Sequence, residues 1–284
     1  MSWLVGMPTA AAYDALASAY AAAMRIARFT TGDDPRYALV EGEPGQEQLV
    51  VITGDPIYTP VQPTGEHVPL DRDDVRLLAP VIPRSKVVGV GRNYADHAAE
   101  LGNEVPSSPL LFLKPNTSVI GPDDPIVLPP WSEDVHHEAE LAVVIGKVTK
   151  DVSPEQALTR VFGYTVANDV TARDVQRSDA QWTRAKGFDG SCPLGPWIVP
   201  GLDVDDLAVL CRVNGTTTQD GRTRDLVFDV ATLVSYISEV FTLLPGDVIL
   251  TGTPAGVGPV RHGDVVECEV EDIGVLRNPV IRRV

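Results

Sequence analysis

Between His136 and Gly146 the chain reads HHEAELAVVIG. After Glu140 the run is continuously apolar, so it reads as a strand heading into the core. Glu138 and Glu140 stand at the mouth of that strand. Side chains alternate with period two along an extended chain, which places these two acids on one face. Two carboxylates held side by side repel each other unless a cation or a shared proton relieves them. Any fold this chain adopts must therefore bury a strand at a point where negative charge is concentrated.

A third acid strengthens the case for a cation. Asp169 lies in YTVANDVTARD, at the end of another strand-like run. Three carboxylates offer oxygen-only ligation, which suits a hard ion, Mg²⁺ or Mn²⁺, better than zinc. Open coordination positions would remain for substrate and water. Cys192, Cys211 and Cys268 show no C-x-x-C spacing, so neither a zinc site nor a disulfide framework is expected, and the cytoplasm is the expected compartment. A formal net charge of −16 argues against nucleic acid and against an anionic membrane as partners. No apolar run is long enough to span a bilayer.

The 284 residues suit one large domain, or a medium domain with a small appendage. Residues 1–23 are alanine-rich, lack a basic n-region, and carry Asp14 where a signal peptide would be apolar; they read as a short extra helix or tail with no catalytic part. Residues 24–83 read as a small β-rich N-terminal domain and linker. MRIARF, RYALV and QLVVI are strand-like, while DPIYTPVQPTGEHVPLDRDDVRLLAPVIPRS reads as a linker wrapped on the surface. From residue 84 to 284 strand signals dominate, beginning with KVVGVG. NYADHAAELG reads as a short helix with an Asn cap and a stop at Gly102. Helical spacing returns in SPEQALTRVF and in FDVATLVSYISEVFTLL, where Val230, Leu233, Val234 and Ile237 recur. Many strands with few helices, not alternating one for one, indicate an α+β fold with a mainly antiparallel or mixed sheet. GVGRNY begins like a dinucleotide fingerprint, but Tyr94 occupies the third glycine position and the βαβ context is missing, so no nucleotide site is expected.

Taken in order, HHEAELAVVIGK, GYTVANDVTARDVQ, WTRAKGFDGSCPLGPW, GDVILTGTPAGVGPV and IGVLRNPV resemble the catalytic domain of the fumarylacetoacetate hydrolase superfamily. The likeness is to its acylpyruvate hydrolase, oxaloacetate decarboxylase and hydroxyheptadienedioate isomerase branch. It covers about residues 84–284, with a weaker match over residues 24–80. The resemblance implies a mixed β-roll or β-sandwich core, a homodimer, and a Mg²⁺ or Mn²⁺ ion held by Glu138, Glu140 and Asp169. It also implies that Lys186 contacts substrate and assists proton traffic, and that Arg173, Gln176 and Thr253 hold the substrate carboxylate or a lid.

His97 and Glu100 form an H-x-x-E pair on the short helix, where spacing i to i+3 lets the carboxylate orient the imidazole. In the hydrolase branch such a pair activates water. His136 and His137 are left outside the metal shell. The resemblance thus implies a small 2-oxo acid substrate, processed through an enolate held by the metal. Hydrolysis of an acylpyruvate C–C bond is the first expectation, of the kind met in the catabolism of aromatic compounds. Decarboxylation of oxaloacetate and isomerisation of a hydroxymuconate-like dienol are the alternatives, and a catalytically silent metal-binding relative is the reading outside enzymes.

Overall fold

The computed structural model describes residues 24–283, apart from residues 44 and 101. Residues 1–23, expected to form a short helix or tail, lie outside the described residues. The fold is a mixed, sheet-rich α+β architecture with few helices. Its main sheet has 12 strands. The path runs from Pro63–Pro69 at one edge through Gln48–Ile52, Arg36–Glu41, Arg25–Thr30 and Cys192–Val199 to Val161–Asn168 and Ala139–Ile145. It ends with Val248–Leu250, Val87–Gly91 and Leu110–Lys114. Val119–Ile120 follows that last strand closely in sequence, yet pairs in parallel with Cys192–Val199 in the middle of the sheet. The sheet is therefore curled, and side chains from its far edge can approach its centre.

A second sheet of 5 strands, Thr216–Arg222, Ala208–Val213, Val265–Val270, Gly274–Arg282 and Ile126–Leu128, supplies the other apolar layer. Val143, Ile145 and Val166 from the main sheet share one core with Val209, Val266 and Val270 from the second. Each such fully buried side chain contributes roughly 1.5–3 kcal/mol of burial free energy before conformational entropy is set against it. The helix Val230–Val240 presents Leu233 and Ile237 to that core. Asp229 caps it by accepting from the amide of Thr232 at 2.7 Å, which satisfies one of the free N–H groups of the first turn.

Three local expectations change. The stretch read as a surface linker contains two strands, Pro63–Pro69 and Arg76–Leu78. Pro63–Pro69 lies at the sheet edge with only Val68 buried, and an edge strand tolerates the prolines and polar residues that made this segment look irregular. Asn93 does not cap the short helix, which spans Ala95–Glu100. Its side chain instead donates to the carbonyls of Phe228 and Thr251 and accepts from the amide of Phe228, tying three loops together. Finally, the buried strand starts at Ala139, so Glu138 sits in the short break after Val135–His136. Residues 24–80 are hydrogen-bonded into the main sheet, since Arg25–Thr30 pairs with Cys192–Val199.

Candidate metal centre and catalytic cavity

Strand register explains why three acids distant in sequence meet. Ala139–Ile145 runs antiparallel to Val161–Asn168, with Ala139 opposite Asn168. The first residues of one strand and the residue following the other must then lie at the same end of the sheet. The amide of Asp169 donates to the carbonyl of Glu138 at 2.8 Å, and Asn168 fixes the break by accepting from the Glu138 amide at 2.9 Å. Glu138, Glu140 and Asp169 are all buried, and each places a carboxylate oxygen within 4.8 Å of the other two.

Cations surround two of these acids. Lys186 is carried by the one-turn helix Thr183–Lys186. Its Nζ donates to Glu138 at 2.7 Å and to Asp169 at 2.5 Å. Arg173, at the start of the helix Arg173–Ser178, donates to the other oxygen of Glu138 and, at 2.8 Å, to the side-chain oxygen of Gln176. Burial opposes the charged form of Glu138, but Arg173 and Lys186 outweigh it and hold the carboxyl well below the usual range. Lys186 is likewise desolvated, yet Asp169 and Glu138 keep its ammonium charged. Glu140 differs. Its carboxylate accepts from the amide of Gly252 at 2.6 Å, and no lysine or arginine pairs with it among the described residues. Burial, then repulsion from Asp169 and Glu138, push its pKa well above the ordinary value.

That imbalance is the test of fit for a cation. A buried acid crowded by two others, without a countercharge of its own, is what a divalent ion would relieve. The donors are all carboxylate oxygens, which suits Mg²⁺ or Mn²⁺.

The three acids open onto a cavity of about 490 Å³. All nine residues singled out in the sequence line it: His97, Glu100, Glu138, Glu140, Asp169, Arg173, Gln176, Lys186 and Thr253. His97 is buried, with Nδ1 3.4 Å from Glu100. Glu100 also accepts from the amide of Gly256, which links the short helix to the loop after Thr253. Burial lowers the pKa of His97, so its imidazole is neutral at physiological pH. The Thr253 hydroxyl is committed within the protein, donating to the Ala139 carbonyl at 2.8 Å and accepting from Gln219 at 2.7 Å.

Sequence reasoning passed over two buried residues here. Lys114, fully buried, donates to the second oxygen of Asp169 at 2.6 Å. Its signal was a lysine closing the apolar run PLLFLK, since a buried lysine requires a paired acid. Gln219 accepts from the Ala139 amide at 2.9 Å and bonds Thr253 and the Pro254 carbonyl, bracing the strand that carries Glu140. Nothing in TTTQDGR marked it. His137 lies 3.1 Å from Gln219 through Nδ1 and is not among the clustered acids.

Residues 86–281 match the family model described as fumarylacetoacetate (FAA) hydrolase C-terminal, and residues 24–80 match one described as Rv2993c-like, N-terminal. The human mitochondrial oxaloacetate tautomerase FAHD2A is 47% identical over 224 residues, covering 75% of this chain and 71% of that protein. The crystal structure of 5-carboxymethyl-2-hydroxymuconate delta-isomerase from Mycobacterium smegmatis is 49% identical with a TM-score of 0.84, covering 92% of this chain and 100% of that one. Fumarylpyruvate hydrolase from Pseudomonas aeruginosa, solved in complex with Mn²⁺ and pyruvate, is 34% identical with a TM-score of 0.67, covering 73% and 92%. Among the described residues no helix is long and apolar enough to cross a membrane.

Proposed function

The chain belongs to the fumarylacetoacetate hydrolase family, and on that footing we propose that it is a divalent-metal-dependent enzyme acting on a small 2-oxo acid through an enolate, with hydrolysis of an acylpyruvate-type C–C bond as the net reaction. The observation that carries the proposal is the convergence of Glu138, Glu140 and Asp169 in a cavity that also holds Lys186, Arg173 and the His97–Glu100 pair. The Mn²⁺ and pyruvate found with the Pseudomonas hydrolase support a metal and a pyruvate-like headgroup at such a site. A cation held by the three carboxylates would act as a Lewis acid toward the headgroup, stabilising negative charge that develops on the 2-oxo oxygen.

The protein's own groups supply the rest. Lys186 and Arg173 bring positive charge to the cavity wall, where it lowers the energy of an enolate far more than it would in water. With Nδ1 engaged by Glu100, His97 is held in one ring orientation, and Nε2 of the neutral imidazole is free to take a proton. For hydrolysis that proton comes from a water attacking the distal ketone, and the enolate is the leaving group. Glu100, anchored by the amide of Gly256, fixes the ring and stabilises the imidazolium once formed.

A second reading is supported by the relatives at 47% and 49% identity, an oxaloacetate tautomerase and an isomerase. The same site would then move a proton to or from C3 with no attacking water. Oxaloacetate decarboxylation requires only the stabilised enolate. Purified protein supplied with Mg²⁺ or Mn²⁺ and assayed on acylpyruvates, fumarylpyruvate and oxaloacetate tests these readings. His97→Ala should lower acylpyruvate hydrolysis by ~10²–10⁴-fold, as expected for loss of a general base, while oxaloacetate decarboxylation falls less. Equal loss of both would reject the water-activating role.

A further inference from the structure

Among the described residues, the cavity has one arginine or lysine that internal ion pairs do not use. Lys186 is bound to Glu138 and Asp169, Arg173 to Glu138 and Gln176, and Arg177 to Asp134 at 3.1 Å. Arg92 also lines the cavity, and its side chain makes no hydrogen bond or ion pair among the described residues.

Its backbone is unusual as well. Arg92 has φ 58°, in the left-handed region that costs a non-glycine residue about 1–3 kcal/mol. Such a conformation persists only when its surroundings impose it. Here the next residue, Asn93, is fully buried and clamped through its side chain to Phe228 and Thr251, while its carbonyl accepts from Val227 at 2.8 Å. Gly252 packs so closely on Asn93 that a Cβ there would come within 2.7 Å of it. On the other side, a Cβ at Gly91 would come within 2.9 Å of the Trp182 ring, so that indole lies directly beside the Gly91–Arg92 backbone and lines the same cavity. A cavity lined by an apolar ring and by a guanidinium unpaired among the described residues suits a carbon chain that ends in an anion.

We propose that Arg92 is the specificity-determining residue that reads the distal end of the substrate, selecting 2-oxo acids with a second carboxylate over those with a neutral end. The inference rests on the reading above, in which the acid triad and its cation take the 2-oxo acid headgroup. Arg92 then pairs with the far carboxylate, and Trp182 covers the chain between.

Calorimetric binding with Mg²⁺ present tests this without relying on turnover, using oxalate as a headgroup probe and 2-oxoglutarate beside its 5-methyl ester. The wild-type protein should bind the diacid roughly 10–100-fold tighter than the ester, the value of a charge-assisted hydrogen bond. Arg92→Met should bring the two within about 3-fold by weakening the diacid alone, and Arg92→Lys should keep part of the preference. Arg92→Gly, which accepts the left-handed backbone without strain, should lose the preference as Arg92→Met does. Oxalate should bind wild type and variants alike, showing that they are folded and that the headgroup site is intact. Absence of oxalate binding to wild type would overturn the headgroup reading, and this proposal with it. Normal oxalate binding with equal affinity for diacid and ester, or a preference that survives in Arg92→Met and Arg92→Gly, would overturn the role of Arg92 alone. Loss of oxalate affinity in both variants would place Arg92 at the headgroup and also overturn it.

Discussion

Replacing Asp169 by Asn tests whether the acid cluster organises charge in the absence of metal. The change preserves shape and removes one negative charge. Lys114 has no exposed side-chain surface, and Asp169 is the acid to which its ammonium donates, at 2.6 Å. Lys186 loses one of its two acids but keeps Glu138 at 2.7 Å. The larger effect is therefore the stranded charge of Lys114, and breaking a buried pair from one side costs about 3–5 kcal/mol. For a chain of this size that corresponds to a fall of roughly 10 °C in Tm. Denaturant unfolding in excess chelator isolates this cost from any loss of metal binding. Lys114→Met in the Asp169→Asn background removes the stranded ammonium and should recover stability, giving a coupling of about 2–3 kcal/mol in the double-mutant cycle. Added Mg²⁺ or Mn²⁺ should raise the Tm of wild type but not of Asp169→Asn. A cost below about 1 kcal/mol in chelator, or strictly additive single changes, would refute a charged Lys114–Asp169 pair.

Glu140→Gln should act in the opposite sense on the metal-free protein, because it replaces a carboxyl whose ionisation is opposed by burial, Asp169 and Glu138. Unfolding curves in chelator should show a gain in stability, while titration with Mn²⁺ shows lost affinity; a loss of stability in chelator would contradict the crowding. Lys186→Met should lower turnover by roughly 10²-fold or more in folded protein, and a variant that unfolds with unchanged specific activity per folded molecule would make Lys186 purely structural. His97 serves as a base only when neutral, and burial lowers its pKa from 6.5. Falling pH should therefore reduce kcat/KM for hydrolysis with a midpoint below the ordinary histidine value; an acid limb with its midpoint above 6.5 would assign it to another group.

The acids were legible because their information is local. Period two brings Glu138 and Glu140 to one side even though the regular strand begins between them, at Ala139. The apolar run behind them states that they are buried. Asp169 closes a second such run, and the short helix keeps His97 and Glu100 on a common face. Edge strands were harder to read, since Pro63–Pro69 is exposed along most of its length and carries no core pattern.

The sequence by itself determined the sheet-rich fold class, the buried strand and the residue types suited to a hard cation, because alternation and apolar runs are written in neighbouring positions. Tertiary structure alone decided which charges meet. The Ala139–Asn168 register joins acids from two strands, and the curl of the sheet brings Lys114 from its outermost strand to Asp169. Gln219 reaches Thr253 from the second sheet. Among the described residues the same assembly leaves Arg92 unpaired, while Arg173, Arg177 and Lys186 take acids within the protein. A lysine, a glutamine or an arginine looks the same in sequence whether it is paired, bracing or free. Pairing depends on distances of a few ångströms between distant segments, and those distances exist only once the sheets have packed.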